Sequence, residues 1–484
     1  MSENSQFDLS IAHTAVSSLL GDESLSVSRH VDFTGGDVCF DSPFYSGEAA
    51  SAVIAAKGVI AAEINHLQGK QVIDQLGVDT RLAEASLVSF ALQDFADDQK
   101  APDKRPNPED RTPASGFFKC KDGRLIYLHS SFPNYAQHSD AMLKLLSAAP
   151  NHKAIAEAIS KIPAQDLEDK IAAAGLCGAM LRNHDEWDQS IAGQALSATP
   201  VIEVIKMTDT DPQQSSTLSA QSVLAGLKVL DLTRVLAGPT CAKSLSSFGA
   251  EVLHIRGKDL PYVESFVTDT GIGKRSAYLN LKAEKDRDVL QSLVKQSDVF
   301  SQGYQSAVME KFGFSVEDVM VMNPDSIYVS INCYGHEGEW RTRPGWEQLA
   351  QVATGMAVQQ GDYLSDGKGF SKPVLQPSAL NDYVTGYLAA LGVMLAKRQQ
   401  LLFGGGYCVR VSLCRTAMWV RALGIRDYSV HSRVPDSAEL CSFYQSFETD
   451  WGRLSALRPA LSLAGKPLLW TGPPVPLGSH SASF

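Results

Sequence analysis

The alternation of short apolar runs with helical segments after Gly226 constrains the fold of this chain more than any other feature. Residues 226–257 read GLKVLDLTRVLAGPTCAKSLSSFGAEVLHIRG, a pattern typical of a strand, a loop, a helix and a second strand. The runs KVLDL and EVLHI are short and rich in branched aliphatic side chains, as the strands of a buried parallel sheet are. The helix between them is expected to run from about Thr240 to Gly249.

The same alternation continues towards the C-terminus. The segment RDVLQSLVKQSDVFSQGY is typical of a helix followed by a strand, and SIYVSINCYG is typical of a further strand. Repeated strand–helix–strand units predict a doubly wound, Rossmann-like α/β domain. A smaller α+β domain is expected before it, because GFFKCKDGRLIYLHSSFP predicts two strands around the turn Lys121-Asp122-Gly123.

Two polar stretches divide the chain. LQDFADDQKAPDKRPNPEDRTPAS, from Leu92, and MTDTDPQQSSTLSAQS, at 207–222, have the charge and proline content of linkers. The predicted organisation is a polar segment at 1–40, a helix–strand–helix unit with its linker at 41–110, the small domain at 111–206, a linker at 207–225, the Rossmann-like domain at 226–430 and a C-terminal segment at 431–484.

A weak internal repeat is visible. Segments 41–92 and 380–424 both read as an acid, an aromatic residue and a glycine at the start of a long helix, then a strand and a second helix. Aligning Gly47 with Gly386 puts Pro43 opposite Asp382, so the first copy is expected to lack that acid. Chance similarity of two such units stays open as the alternative.

The composition excludes several classes of partner. The net charge is −11 with no basic stripe, so no nucleic-acid partner is expected, although a local basic pocket for an anion is compatible with it. No uninterrupted apolar run reaches 18 residues, and the polar start does not resemble a signal peptide, so we expect a cytoplasmic protein without a membrane partner. The eight cysteines form no CxxC pair and no zinc-like spacing with histidine, so no metal site is expected.

The acid at the start of NDYVTGYLAALG, residues 381–392, has two interpretations. Taken alone, Asn381 or Asp382 is expected to be the N-cap of a buried helix. The alternative is a functional carboxylate, and that alternative depends on the segments upstream.

Five segments in order resemble the class III CoA-transferases, the family of formyl-CoA transferase, carnitine CoA-transferase and α-methylacyl-CoA racemase. They are the run from Gly226, then GKRSAYLNLK, SDVFSQGYQSAVMEKFGF, GWEQLAQVATG and NDYVTGYLAALG. The match covers 226–425. Segments 41–95 and 115–205 look like the later half and the small domain of the family, here placed before the main domain. The resemblance therefore implies an unusual tandem-like arrangement.

The resemblance implies an acyl-CoA:carboxylate CoA-transferase in which Asp382 is the nucleophile and an aspartyl-CoA thioester is the intermediate. Coenzyme A thioester would then be a substrate, a carboxylic acid the acceptor, and no permanently bound cofactor is needed. Backbone N–H groups near Gly386 are expected to hold the developing oxyanion. The residues that the resemblance assigns to CoA binding are Val235, Leu236, Arg256, Lys258, Leu279, Lys282 and Lys311.

The basic residues of that set have a second interpretation as ordinary surface cations. By resemblance, Lys282 and Lys311 would hold phosphates. The family has a third basic residue at the position of Gly257, and in this chain Arg256 and Lys258 flank that position. Among the apolar residues of the set, the resemblance implies that Val235 and Leu236 contact the nucleotide and that Leu279 packs beside the adenine.

Two other functions stay open. The racemases carry a histidine where this chain reads Gly345-Trp346-Glu347, so a racemase or isomerase would need another proton carrier, for which Glu347 is the candidate. A non-catalytic CoA-binding homologue is the third hypothesis. Members of the family form intertwined dimers, so we expect a homodimer in which residues 41–205 complete an interlocked ring and cover the pocket of Asp382.

Overall fold

The structure, a computed structural model, describes a large part of the chain. The described residues are 7–21, 25–28, 30–36, 39–96, 114–130, 136–212, 222–365, 368, 372–426 and 441–484. Most of the first predicted linker and residues 213–221 of the second lie outside them.

Helices and strands alternate along most of the described chain. The helices are α1 (Leu9–Leu20), α2 (Ser46–Leu67), α3 (Thr80–Ala85), α4 (Ala136–Leu146), α5 (His152–Ile159), α6 (Ala164–Ala173), α7 (His184–Asp188), α8 (Ile191–Ser197), α9 (Ala237–Ser247), α10 (Glu264–Thr270), α11 (Glu284–Val294), α12 (Ser306–Lys311), α13 (Val316–Met322), α14 (Glu347–Ala353), α15 (Met356–Leu364), α16 (Leu380–Phe403) and α17 (Leu413–Ala422). The strands are β1 (Asp32–Thr34), β2 (Leu76–Asp79), β3 (Asp94–Phe95), β4 (Gly116–Lys119), β5 (Leu125–Leu128), β6 (Gly178–Met180), β7 (Glu203–Lys206), β8 (Lys228–Asp231), β9 (Glu251–Arg256), β10 (Lys274–Tyr278), β11 (Val299–Gln302), β12 (Ile327–Asn332), β13 (Tyr407–Ser412), β14 (Tyr444–Thr449), β15 (Gly452–Leu457), β16 (Leu461–Leu463) and β17 (Lys466–Pro467). Short 3₁₀ segments are Ser86–Ala91, Glu339–Thr342 and Cys441–Phe443.

A seven-stranded sheet forms the centre of the molecule. Its strand order is β10-β9-β8-β11-β12-β13-β7, and all neighbours are parallel except β13 and β7. Numbered from β8, the parallel strands have the order 3-2-1-4-5-6 of a Rossmann fold. The predicted doubly wound α/β fold is therefore confirmed.

The sheet is covered on its faces by apolar helices, which explains its continuous apolar strands. All four residues of β11 are buried, and Val229 of β8 pairs in register with Val252 and Val299 of the flanking strands. The helix α9 begins at Ala237, three residues before the expected start, with Pro239 in its first turn, where a missing N–H costs nothing. The long helix α16 packs against both α9 and α2.

The small α+β domain consists of the antiparallel sheet β4-β5-β6 and the helices α4 to α6. The predicted hairpin is confirmed, and its turn places Gly123 at a φ of 81°. A buried ion pair between Glu168 and Arg182 joins α6 to the end of β6. The N–H of Arg182 also donates to the carbonyl of Val352 in α14, so the small domain is anchored to the main domain beside the N-terminus of α16.

Two strands cross between the halves of the chain. The strand β7 lies within the predicted small domain, yet it pairs antiparallel with β13 at the edge of the central sheet. The strand β16, near the C-terminus, pairs antiparallel with β2 in the N-terminal sheet β1-β2-β16-β17. Each half thus supplies a strand to a sheet of the other half.

The structure also corrects the alignment of the repeat. Both long helices carry an acid as their third residue, Glu48 in α2 and Asp382 in α16. Ten residues after each acid, a glycine lies where a strand approaches the helix closely. A Cβ on Gly58 would lie 2.9 Å from the side chain of Leu461, and a Cβ on Gly392 would lie 2.5 Å from the side chain of Val409. The expectation that Pro43 replaces the acid is wrong, because the first copy keeps an acid as Glu48.

Candidate active site

The N-terminus of α16 receives its cap from another helix. The helix begins at Leu380 with Ala379 as the N-cap residue, so the expectation of a cap by Asn381 or Asp382 is wrong. Instead, the carboxylate of Glu347 accepts the backbone N–H groups of Asn381, at 3.2 Å, and Asp382, at 2.7 Å. These are donors that a helix leaves without an internal partner.

Glu347 is held by two further hydrogen bonds. Its carboxylate accepts from Nδ2 of Asn381 at 3.1 Å and from Nε2 of Gln351 at 2.7 Å. Glu347 is the first residue of α14 and is buried. A carboxylate that accepts four hydrogen bonds is fixed in place. Such a group is better suited to holding the start of α16 than to carrying a proton to a substrate.

The carboxylate of Asp382 has a different environment. None of the described residues donates a hydrogen bond to it, although only 8% of the residue is exposed. Burial, and then the charge of Glu347, raise the pKa of Asp382, and burial also raises the pKa of Glu347. Because the four hydrogen bonds on Glu347 favour its ionised form, the pair places its shared proton on Asp382.

The carboxylate of Asp382 opens into a cavity. Its walls come from the 3₁₀ segment Ser86–Ala91, the end of β5, the loop after β8, the start of α10, the start of α14, and the segment before α16 with the first turn of that helix. The residues that line it are Val88, Phe90, His129, Val235, Leu236, Val263, Phe266, Trp346, Glu347, Gln348, Gln351, Leu375, Gln376, Pro377, Ser378, Ala379 and Asp382. Three residues predicted from the sequence, Asp382, Val235 and Leu236, therefore meet in one cavity.

The loop that carries Val235 lies at the point where the order of the parallel strands reverses. β8 is followed by β9 on one side and lies beside β11 on the other, and ligands of open α/β sheets bind in this crevice. Val235 has a φ of 72°, a left-handed conformation that costs a β-branched residue free energy. It also lines two neighbouring cavities, one with Arg256 and one with Tyr304.

The other residues assigned to CoA binding lie outside the cavity of Asp382. Arg256 is buried, and its guanidinium donates to the carbonyl oxygens of Gly257 and Leu260 and lies over the ring of Tyr262. Lys258, Lys282 and Lys311 are exposed, and Leu279 is buried in the core. Arg256, Lys258, Leu279 and Lys282 lie at or shortly after the carboxyl ends of β9 and β10, whereas Lys311 is the last residue of α12.

Gly386 does not have the expected role. It is the seventh residue of α16, so its N–H lies inside the helix and is directed to the carbonyl four residues before it. A Cβ at this position would lie 2.4 Å from the carbonyl oxygen of Ala237. The glycine permits close approach of α16 and α9, and its own N–H is not free for an oxyanion, whereas the expectation for other N–H groups near it stays a prediction.

His129 is a residue of the cavity that sequence reasoning missed. It follows β5 in the small domain, and its ring stacks on Trp346 with centroids 5.8 Å apart. Burial lowers its pKa to about 4, so the imidazole is neutral at neutral pH. A histidine at the end of a strand was the only signal, and nothing in the sequence indicated that this strand lies near α14.

His336, by contrast, lies outside this cavity. Its Nε2 lies 2.9 Å from Oγ of Ser330, and burial lowers its pKa to about 3. Among the described residues no group of three His, Cys, Asp or Glu side chains is placed to hold a metal ion. None of the described helices has the length and apolar character needed to cross a membrane.

Comparisons with known proteins agree on one family. Residues 224–458 match the sequence model of "CoA-transferase family III". An "Acyl-CoA transferase" of Gibberella moniliformis is 28% identical, over 88% of this chain and 82% of the relative. The "Acetyl-coenzyme A transferase nodX" of Hypoxylon pulicicidum is 30% identical, over 65% of this chain and 55% of the relative. The chain thus spans most of the first relative and about half of the second.

A solved structure shows a partial likeness. A CAIB/BAIF family protein from Brucella suis is 23% identical, with a TM-score of 0.36, over 48% of this chain and 65% of the other.

Proposed function

Because residues 224–458 match the sequence model of CoA-transferase family III, we propose that the chain transfers coenzyme A from an acyl-CoA to a carboxylic acid with Asp382 as the nucleophile. One observation carries the proposal: a buried carboxylate to which no described residue donates a hydrogen bond opens into a cavity at the strand-order reversal. Such a carboxylate is poorly solvated, which makes its anion a better nucleophile towards a thioester.

The reaction needs only carboxylates and the thiol of CoA. Ionised Asp382 attacks the thioester carbonyl, the C–S bond breaks, and a mixed anhydride and the CoA thiolate form. The thiolate then attacks the carbonyl of Asp382 in the anhydride, which releases the donor acid and leaves an aspartyl-CoA thioester. The acceptor carboxylate attacks that thioester, and the thiolate returns to the acceptor carbonyl, which gives the new acyl-CoA and regenerates Asp382.

Residues around Asp382 have positioning roles in this proposal. Glu347 holds the first turn of α16 and so fixes the carboxylate of Asp382 relative to the loop of Val235. The amide side chains of Gln348 and Gln376 line the same cavity and are suited to donate hydrogen bonds to a substrate carboxylate. Phe90 and Phe266 pack edge to face, at 4.8 Å, and form an apolar wall that limits access of water.

A single working centre per chain is part of the proposal. Glu48, the counterpart of Asp382, forms a buried ion pair with Arg426 and accepts the N–H of Asp8 at 2.9 Å. A carboxylate with a guanidinium on it is a poor nucleophile, because the charge needed for attack is already neutralised. The first copy therefore supports the fold, and the second copy carries the chemistry.

Trapping of the intermediate tests the function. The protein is incubated with an acyl-CoA in the absence of acceptor acid, quenched, digested and analysed by mass spectrometry. We expect one CoA per chain, attached through the side chain of Asp382, and no adduct in Asp382→Ala. An adduct on another residue, or two adducts per chain, would contradict the proposal. Retained CoA binding without any adduct would favour the non-catalytic homologue.

One observation favours racemase or isomerase chemistry as a second candidate. His129 and Asp382 line the same cavity, and a buried neutral imidazole beside a carboxylic acid is a pair of proton carriers. Incubation of a 2-methylacyl-CoA in D₂O without acceptor acid distinguishes the two candidates. Deuterium at the α-carbon would support racemisation, whereas a transferase is expected to incorporate none.

A further inference from the structure

A second cavity lies on the other side of the segment Ser86–Ala91. It is lined by α2, α9, α16 and the residues that follow β15. Ser86 and Ser89 line it, whereas Val88 and Phe90 of the same segment line the cavity of Asp382. Asp382 lines the first cavity and not the second, so the second cavity is separate from the proposed active site.

Lys57 is the main feature of this second cavity. The residue is 4% exposed, and among the described residues its ammonium donates one hydrogen bond, to Oγ of Ser244 at 3.4 Å. The ammonium lies 4.4 Å from the ring centre of Tyr387. No carboxylate of the described residues lies within ion-pair distance of it. An ammonium carries three donors, and a buried cation without an anion is costly, so this site lacks a negatively charged acceptor.

Other lining groups complete a site for an anion with an apolar body. Thr240 Oγ1 is buried and has no hydrogen-bond partner among the described residues. Arg458 lines the partly exposed outer side without a carboxylate partner in the described chain, whereas Lys243 is already paired with Asp269 at 2.8 Å. An apolar part of the wall is formed by Ile54, Phe248, Leu461, Leu468 and Trp470.

We propose that this cavity binds a small aliphatic monocarboxylate, with its carboxylate on Lys57 and Thr240 and its alkyl chain against the apolar wall. A single charge fits one unpaired buried ammonium, and a hydroxyl supplies a second donor. A phosphate dianion would need more charge-assisted donors than the inner end of the cavity offers, and its hydration would be lost against apolar side chains.

The protonation of Lys57 makes the binding dependent on pH. Burial lowers the pKa of Lys57 to about 7. No group that faces Lys57 supplies a negative charge to balance it. Burial raises the pKa of Cys241 to about 12 and also raises the pKa of Tyr387, so both side chains are neutral. Lys243 is neutralised by Asp269, and Arg458 adds positive charge. A bound carboxylate favours the ammonium form, so binding takes up a proton and weakens as pH rises above about 7.

Calorimetry of the full-length chain with butyrate tests the site. Lys57→Met removes the charge with little change of volume and removes the cost of burying it, so the variant is expected to fold; thermal unfolding checks this. We expect butyrate affinity to fall at least about tenfold in Lys57→Met and to stay unchanged in Lys206→Met, an exposed control. At pH 8, heats measured in two buffers of different ionisation enthalpy should report proton uptake in the wild type and none in Lys57→Met.

Asp382→Ala separates this cavity from the proposed active site. We expect this variant to bind butyrate as the wild type does, and calorimetry without acyl-CoA makes the result independent of transfer activity. Loss of binding in Asp382→Ala with retention in Lys57→Met would assign butyrate to the other cavity and overturn the proposal. Absence of binding to the wild type, or equal affinity for inorganic phosphate, would also overturn it. Crystals soaked with 4-bromobutyrate should place the carboxylate on Lys57 Nζ.

Discussion

The backbone N–H of Asp382 donates a hydrogen bond of 2.7 Å to Oε2 of Glu347, so an acid of α14 caps the helix that carries another acid. The first N–H groups of a helix are usually capped by the side chain of the residue directly before the first turn. Since Glu347 supplies the cap of α16, the side chain of Asp382 is released from that role and directed into the cavity. The bond therefore links the packing of α14 to the position of Asp382.

Replacement of the proposed nucleophile should abolish transfer without unfolding the chain. Asp382→Ala is expected to reduce CoA transfer below detection, because the other carboxylate that lines the cavity, that of Glu347, is occupied by hydrogen bonds. The unfolding free energy at pH 7 should change by no more than about 1 kcal/mol, since no described donor is lost with the carboxylate. Asp288→Ala, an exposed site on α11, is the control. Turnover of Asp382→Ala near the wild-type rate would exclude the covalent mechanism.

The pH dependence of turnover should report the pair of acids. Asp382 must be ionised to attack, and its raised pKa moves the acid limb of the kcat/KM profile above the usual range of an aspartate. Glu347→Gln removes the neighbouring charge, which lowers the pKa of Asp382, so the limb should move to lower pH. Glu284→Gln, an exposed site on α11, should leave the profile in place. An unchanged limb in Glu347→Gln would show that the two acids are not coupled.

Lys282 and Lys311, the exposed lysines assigned to CoA binding, should each contribute to the affinity for CoA. Lys282→Ala and Lys311→Ala are each expected to weaken CoA binding by about 1–3 kcal/mol in calorimetry, as charge-assisted contacts do. Added salt should weaken binding in the wild type. Lys295→Ala, an exposed lysine after α11, should have no effect. Unchanged affinity in both test variants would remove the phosphate site carried over from the family.

The ion pair of the first copy should be required for stability. Arg426→Met leaves Glu48 buried without its counter-ion, which should lower the free energy of unfolding by about 3–5 kcal/mol in denaturant titrations. Adding Glu48→Gln to Arg426→Met should restore much of the loss, because the unpaired charge is then gone. A double variant as unstable as Arg426→Met alone would mean that packing, and not charge, explains the effect.

The homodimer expected from the family resemblance can be tested by measuring the mass of the protein in solution. We expect a homodimer, so light scattering at micromolar concentration should give twice the chain mass of 52.2 kDa. Such a dimer should resist dilution if it buries more than about 2,000 Å². A stable mass equal to that of one chain would restrict the interlocking to the exchange of β7 and β16 within the chain.

The parts of the fold set by local pattern were predictable. The strands β8, β9, β11 and β12 follow from short apolar runs, and their alternation with helices leads to the Rossmann order because parallel crossovers have one hand. The sequence also indicated Asp382 and the loop of Val235 and Leu236, which the structure brings into one cavity. The strand and helix predictions succeeded because each depends on neighbours along the chain, whereas the roles of Asp382, Val235 and Leu236 stay predictions.

The parts set by long-range contacts were not predictable. Glu347 and Asp382 are 35 residues apart, and His129 meets Trp346 only because the small domain packs on α14. The repeat was misaligned because one glycine was matched to another, whereas the helix starts place Glu48 opposite Asp382. No periodicity encodes which strand pairs with the free edge of a sheet.

The pairing of β16 with β2 has a consequence during synthesis. The ribosome makes β2 early, but Leu461–Leu463, which cover its edge, emerge only after almost four hundred more residues, roughly 20–80 seconds later at ordinary translation rates. For that interval the N-terminal sheet has an open edge, the kind of surface that recruits other chains. Ribosomes translating this message are therefore expected to recruit chaperones until the last tenth of the chain has emerged.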